Sequence, residues 1–209
     1  MGAVETKEKI IATTSDLIRE RNGDTENVTI RMIANRAGIG VGLTNHYFKS
    51  KELLLNECVN SVMKGLFEER QDTQTEGRVT PIEAAKREAH RVMRFFMDNE
   101  PFARAALSGK ITSDNGENYL VRLTNHFAYC MADKKQLDDM LNNDRISEKM
   151  KQQFTEHFIG EQRRKAFMIT NSLREAFLIR DMLPQIIGID IGDEEQCEEY
   201  IDEMIEMLM

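Results

Sequence analysis

Residues 29–51 read TIRMIANRAGIGVGLTNHYFKSK, and their folding decides the organisation of the whole chain. Thr29 stands where a hydroxyl caps a helix by accepting from a backbone N–H two or three residues on. Ile30, Ile33 and Ala37 then give that helix one apolar face. Gly38 ends it, and Ile39, inside the turn, is expected to plug back into the core. Ala34, four residues before Gly38, is small enough to let a following helix cross at close range. A second helix is expected from about Val41 to Phe48. Small residue, glycine turn and apolar plug are the logic of a helix-turn-helix. The glycines at 38, 40 and 42 do not make a dinucleotide loop: Leu43 stands where GxGxxG needs its third glycine, and a helix rather than a strand precedes the run.

The stretch carries Arg31, Arg36, Lys49 and Lys51 and no acidic residue, in a protein of formal charge −8. Residues 1–56 hold 8 basic and 7 acidic side chains, a net +1, which leaves −9 for the remainder. Contact with a polyanion must therefore come from a local patch. At about 100° per residue, Val41, Gly42, Asn45 and His46 fall in one sector of the second helix and form a reading face. Gly42 leaves room for close approach to base edges. Lys49 and His46 suit the flanking backbone. His46 is not read as a metal ligand, because no second His, Cys or carboxylate lies at ligand spacing within the stretch.

Working outward, Ile10, Ile11, Thr14, Leu17 and Ile18 predict an amphipathic helix from about Lys7 to Arg21, stopped by Asn22 and Gly23. Ser50 is a natural cap for a long helix through Leu54, Leu55, Cys58, Val59, Val62, Met63, Leu66 and Phe67 to about Glu69. A polar loop is expected at 71–80. A helix follows from Pro81 to near Asn99, then a short one from Phe102 to Leu107, a turn-rich loop from Thr112 to Asn118, and a helix through Leu120, Leu123, Phe127, Cys130 and Met131. Between Asp133 and Glu161 the pattern weakens, and helices are expected around Leu137, Leu141, Ile146, Phe154 and Phe158. Phe167 to Ile179 predicts an apolar helix ending near Pro184. Asp193 and Gln196 suggest a capping box for a last helix striped by Cys197, Tyr200, Ile201, Met204, Ile205 and Leu208.

Composition agrees with an all-α protein. Of 209 residues, 41% are apolar, enough for a packed core, and the chain has no Trp, three Pro and many strong helix formers. Cys58, Cys130 and Cys197 form no CxxC pair, so neither a disulfide framework nor a zinc site is signalled, and no metal or cofactor is expected. No run approaches the roughly 18 apolar residues of a membrane helix, and no signal-peptide core is present, so a soluble, cytoplasmic protein is expected. MGAVET at the start fits the myristoylation pattern formally, but with Glu5 and Glu8 in place of a polybasic partner it is read as chance.

The sequence resembles the TetR family of bacterial transcription regulators through Thr29, Ile33, Ala34, Ala37-Gly38-Ile39, Gly42, Tyr47-Phe48 and Lys49-Ser50-Lys51-Glu52, with Leu54 beyond. The resemblance implies a helix-turn-helix DNA-binding domain over 1–52, its motif at about 29–48, and an all-α regulatory and dimerisation domain over 53–209. It implies a homodimer, through helices at about 162–183 and 193–209, on pseudo-palindromic operator DNA. It puts Arg31, Val41, Gly42 and Asn45 near base edges and Thr29, Leu43, Tyr47 and Lys51 on the sugar–phosphate backbone. Its pairing residues would be Phe167, Leu173, Phe177, Tyr200, Ile201, Met204, Ile205 and Leu208. A small, partly apolar effector is implied in the body, with Met93, Phe96, Phe102, His126, Phe127, Phe167 and Asn171 as its expected walls. Gly40, Thr44 and Asn45 depart from the serine, leucine and tyrosine common in the family, which changes the operator read and leaves the fold intact.

The leading expectation is a ligand-responsive repressor without catalysis. An enzyme is the second reading, but His46, His90, His126 and His157 are scattered and no GxSxG or HExxH occurs. An all-α adaptor retaining the helix-turn-helix is the third, and the basic rather than acidic reading stretch argues against it.

Overall fold

Ile10, Leu17 and Ile18, the stripe of the first expected helix, lie fully inside the protein, and the first unit is built round them. The computed structural model describes residues 2–68, 79–114, 116–132, 140, 142–143 and 146–209. Residues 71–78 of the expected polar loop, and Leu137 and Leu141, lie outside the described residues. The chain divides into two units, Met1–Thr75 with Phe95–Tyr119, and Glu76–Arg94 with Leu120–Met209.

The first unit holds α1 (Ala3–Glu20), α2 (Ile30–Ala37), α3 (Val41–Tyr47), α4 (Lys51–Met63), α5 (Gly65–Glu68) and α7 (Glu100–Leu107). α1 packs on α2, α4 and α7, and its apolar stripe meets Ile33, Leu54, Leu55, Cys58 and Phe102 in one buried core. Burial pushes the Cys58 thiol up to about 11, so it sits as a small neutral hydrophobe. The buried Tyr119 hydroxyl donates to Asn60 Oδ1 and its ring stacks on Phe67, which satisfies both polar groups inside the core. α1 starts a turn earlier than its apolar pattern implied, because the Glu5 carboxylate accepts from the Gly2 N–H, 3.1 Å away, and supports an extra turn. The expected long fourth helix breaks at Lys64 before Gly65, a poor helix former. Pro101, between the expected helix end near Asn99 and the expected start at Phe102, sits in the first turn of α7, where its missing N–H costs nothing.

α6 (Pro81–Asp98) and α8 (Tyr119–Met131) pass from one unit into the other. The second unit adds α9 (Glu148–Leu178), a short 3-10 turn (Arg180–Met182), α10 (Leu183–Ile186) and α11 (Glu194–Leu208). The weakly patterned charged stretch thus ends in a 31-residue helix, capped by Ser147, whose hydroxyl accepts from Met150 N at 3.4 Å. Pro184 opens α10 rather than closing the helix before it. Only half of the expected capping box forms: Asp193 accepts from Gln196 N at 3.0 Å, while the Gln196 carbonyl oxygen accepts from Asp190 N.

α11 is clasped to α6 by charge. Lys86 Nζ lies 3.1 Å from Asp202 and 2.6 Å from Glu206, and His90 Nε2 lies 2.8 Å from Asp202. Burial would raise the Asp202 carboxyl, but hydrogen bonds from His90 and Lys86 outweigh it and hold it below the usual range. A carboxyl depressed in the folded state stabilises above the unfolded pKa of about 3.9 and loses that contribution as pH falls through its folded value. Asp202→Asn is therefore expected to cost at most about 1 kcal/mol at neutral pH, since the group is half in solvent. In urea titrations the gap from the unaltered chain should close as the pH is taken below the carboxylate range, and a gap that persisted there would exclude the charged clasp.

Candidate nucleic-acid interface

Backbone chemistry sets the turn between α2 and α3. The Thr29 hydroxyl accepts from Met32 N at 3.2 Å, starting α2 as its sequence implied. Gly38 then adopts φ +66°, a left-handed conformation open to glycine, and lets the Ile39 N–H reach back to the Ala34 carbonyl at 3.0 Å. Ile39 is half-buried, a partial plug. Gly40 offers α3 no side-chain cap, and its carbonyl takes the Leu43 and Thr44 N–H groups instead. Thr44 is fully buried with its hydroxyl 3.5 Å from the Gly40 carbonyl, so the position where leucine is common is the face by which α3 grips the unit.

The opposite face is open. Val41, Gly42, Leu43, Asn45 and His46 are exposed, Val41 by 39% and Leu43 by 42%, and Tyr47 is half-buried with its ring edge-on to His46. Thr29, Arg31 and Lys49 are exposed beside them. A Cβ built on Gly42 meets no atom within 4 Å, so packing inside the chain does not demand glycine here. Lacking a side chain, it leaves the backbone of α3 open to close approach.

The basic residues are not equivalent. Arg36 grips Glu20 with both guanidinium NH2-type nitrogens, and that hydrogen-bonded pair lowers the Glu20 carboxyl and raises the Arg36 guanidinium. Arg36 thus ties α2 to α1. The Lys51 ammonium donates to the Thr25 and Glu26 carbonyl oxygens at 3.3 and 3.2 Å, anchoring the loop ahead of α2 while leaving its third proton to an incoming anion. Lys49 makes no hydrogen bond or ion pair with the described residues and projects into solvent. Lys49→Ala is expected to leave the unfolding transition unchanged, to weaken DNA binding alike on all sequences, and to lower the slope of log affinity against log salt by about one. Fluorescence anisotropy across a salt series reads both, and an unchanged slope would remove Lys49 from the contact set.

The expected effector walls are distributed over both units. Phe96 and Phe102 belong to the first unit, where Arg19 lies 5.1 Å over the Phe102 ring. In the second unit Met93 and Phe127 are core, Asn171 is half-buried and donates to the Phe167 carbonyl, and Phe167 is 57% exposed. His126 is 3% exposed and hydrogen-bonded to Glu88, a partner that apolar spacing gave no reason to expect. The pairing residues divide as well. Leu173, Phe177, Ile201, Met204 and Ile205 are buried in the chain's own second unit, Tyr200 and Leu208 are half-buried, and among the described residues the large apolar groups left in solvent on α9 and α11 are Met150 near the start of α9 and Phe167, Met168 and Met207.

Residues 10–58 match the family model described as bacterial regulatory proteins, tetR family. A TetR transcriptional regulator from Rhodococcus sp. RHA1 superposes with a TM-score of 0.51 at 13% identity, over 100% of this chain and 97% of that one, a likeness of fold. A tetR-family regulator from Streptomyces coelicolor gives 0.42 at 21% identity, over 99% and 90%. No curated protein sequence matches. No described helix is long and apolar enough to cross a membrane.

Proposed function

Residues 10–58 make this chain a member of the TetR family of bacterial regulatory proteins and a DNA-binding transcriptional regulator, and from that premise we propose that it is a repressor that grips a pseudo-palindromic operator as a homodimer and lets go when its body binds a small effector. The open face of α3, with Gly42 at its centre and Thr29, Asn45, Tyr47, Lys49 and Lys51 round it, is the observation that carries the reading. One such helix spans too few base pairs for useful discrimination, so helix-turn-helix proteins pair their headpieces across two half-sites.

Support for pairing comes from α9 and α11. Lys165 Nζ reaches the Met209 carbonyl at 3.1 Å, so the end of α11 lies beside the part of α9 that carries Phe167 and Met168. Exposed Phe167, Met168 and Met207 are the apolar surface that a second copy would cover, forming a four-helix arrangement about a two-fold axis. The protein acts without catalysis, in the cytoplasm, on double-stranded DNA.

Footprinting over the promoter nearest its own gene is the direct test, with two protected half-sites about 10 base pairs apart, or a multiple of that, expected. Light scattering should give a dimer that Phe167→Glu turns into a monomer with its helical spectrum intact. A single protected half-site, or a monomer at micromolar concentration, would overturn the dimeric reading.

A further inference from the structure

Glu88 on α6 and His126 and Cys130 on α8, all within the second unit, aim one donor atom each at a common point. Glu88 Oε1, His126 Nε2 and Cys130 Sγ lie within 4.8 Å of one another, with Sγ 3.8 Å from Nε2 and Oε1 in hydrogen-bond contact with the same nitrogen. His126 and Cys130 are four residues apart and so share a face of α8, and α6 supplies the carboxylate. The His126 and Glu88 side chains are 3% and 13% exposed. Helix packing alone gives no reason to seat an imidazole, a carboxylate and a thiol together, since polar groups cost free energy to bury.

Nitrogen, thiolate sulfur and carboxylate oxygen are together the donors of zinc-type sites. Bond lengths of about 2.0–2.3 Å put neighbouring ligand atoms of a tetrahedral ion less than about 4 Å apart, so these three need only small side-chain adjustments to share one. We propose that Glu88, His126 and Cys130 bind a divalent transition-metal ion of the zinc type, three protein ligands leaving the fourth position to solvent. Coordination replaces the hydrogen bond between Nε2 and Oε1. The thiol proton leaves to solvent and the Nε2 proton moves to Nδ1, or to solvent if Nδ1 already carries one, so at least one proton is released per ion bound.

Arg91 fits as an outer partner. Its Nε lies 3.1 Å from Glu88 Oε2 and its terminal nitrogen 2.6 Å from Oε1, a grip that fixes the carboxylate as hydrogen-bonded neighbours of metal ligands do. Its positive charge also opposes the cation. The site is therefore an exchangeable one rather than a closed structural site of the four-cysteine kind.

Cobalt(II), added to the full chain stripped by chelator, is the probe, and zinc(II) is the competitor. One cobalt per chain is expected, with a thiolate-to-cobalt charge-transfer band that zinc abolishes. Cys130→Ser should remove the band, Cys130→Ser and His126→Gln should each weaken cobalt binding by at least about 10–100-fold, and Cys197→Ser should change neither. Should a ligand variant lose its helical circular dichroism, alkylation of the unaltered chain decides: zinc is expected to shield Cys130 and leave Cys197 reactive, read by peptide mass. Absence of the band, its survival in Cys130→Ser, or alkylation of Cys130 indifferent to zinc would each overturn the site. All these readings are made without DNA, so a chain that footprints its promoter and binds no cobalt keeps the proposed function and loses this one.

Discussion

Gly23→Ala should destabilise the protein by about 2–5 kcal/mol, from a backbone strain of about 1–2 and an overlap worth about 1–3. Gly23 follows α1 at φ +80°, and its N–H closes on the Ile18 carbonyl at 3.0 Å. A methyl there would stand 2.4 Å from the Pro101 carbonyl oxygen, 2.7 Å from Arg104 Cβ and 3.1 Å from Ala105 N. These are backbone and Cβ atoms of α7, which no rotamer change can withdraw. Gly38 supplies the control: at φ +66° it has the same conformational demand, but its added Cβ meets nothing within 4 Å. Gly38→Ala should therefore lose only the strain, about 1–2 kcal/mol. Urea unfolding of the two variants isolates the overlap as their difference. Two variants equal within error would mean that α1 does not approach α7 as closely as the geometry requires.

The same pair of glycines marks what the sequence discloses and what it hides. Gly38 was legible because everything that defines it is local: the Thr29 cap, the apolar spacing to Ala37 and the return bond to Ala34 fall within a dozen residues. Gly23 reads from sequence as one more helix stop, and its real constraint comes from Pro101, far along the chain. α9 was only half visible because the apolar period fades over residues 148–165, although Glu, Lys, Met, Gln and Arg there are good helix formers and Ser147 is a good cap. The regular stripe of α11 announced burial truthfully but not its partner: Ile201 and Ile205 are covered by the chain's own helices. At Glu88, His126 and Cys130 the four-residue spacing on α8 was readable, whereas the carboxylate from α6 is joined to it only by the fold.

Replacing Gly42 by glutamate should lower operator affinity by at least about 100-fold, since like charges juxtaposed across an interface cost several kcal/mol. The fold tolerates the change: the Cβ of residue 42 enters open space, and a carboxylate in the first turn of α3 complements the helix dipole. What it would spoil is the face itself, because Val41, Leu43, Asn45 and His46 surround the position, and on the proposed reading a groove lined with phosphates would meet an anion in place of bare backbone. Gly42→Ala separates shape from charge. It adds one methyl group, should stabilise α3 by up to about 1 kcal/mol, and should weaken DNA binding far less than glutamate does. Anisotropy with the footprinted promoter fragment, paired with thermal unfolding, reads both quantities. If Gly42→Glu bound the fragment as tightly as the unaltered chain, α3 would not be the element that enters the groove.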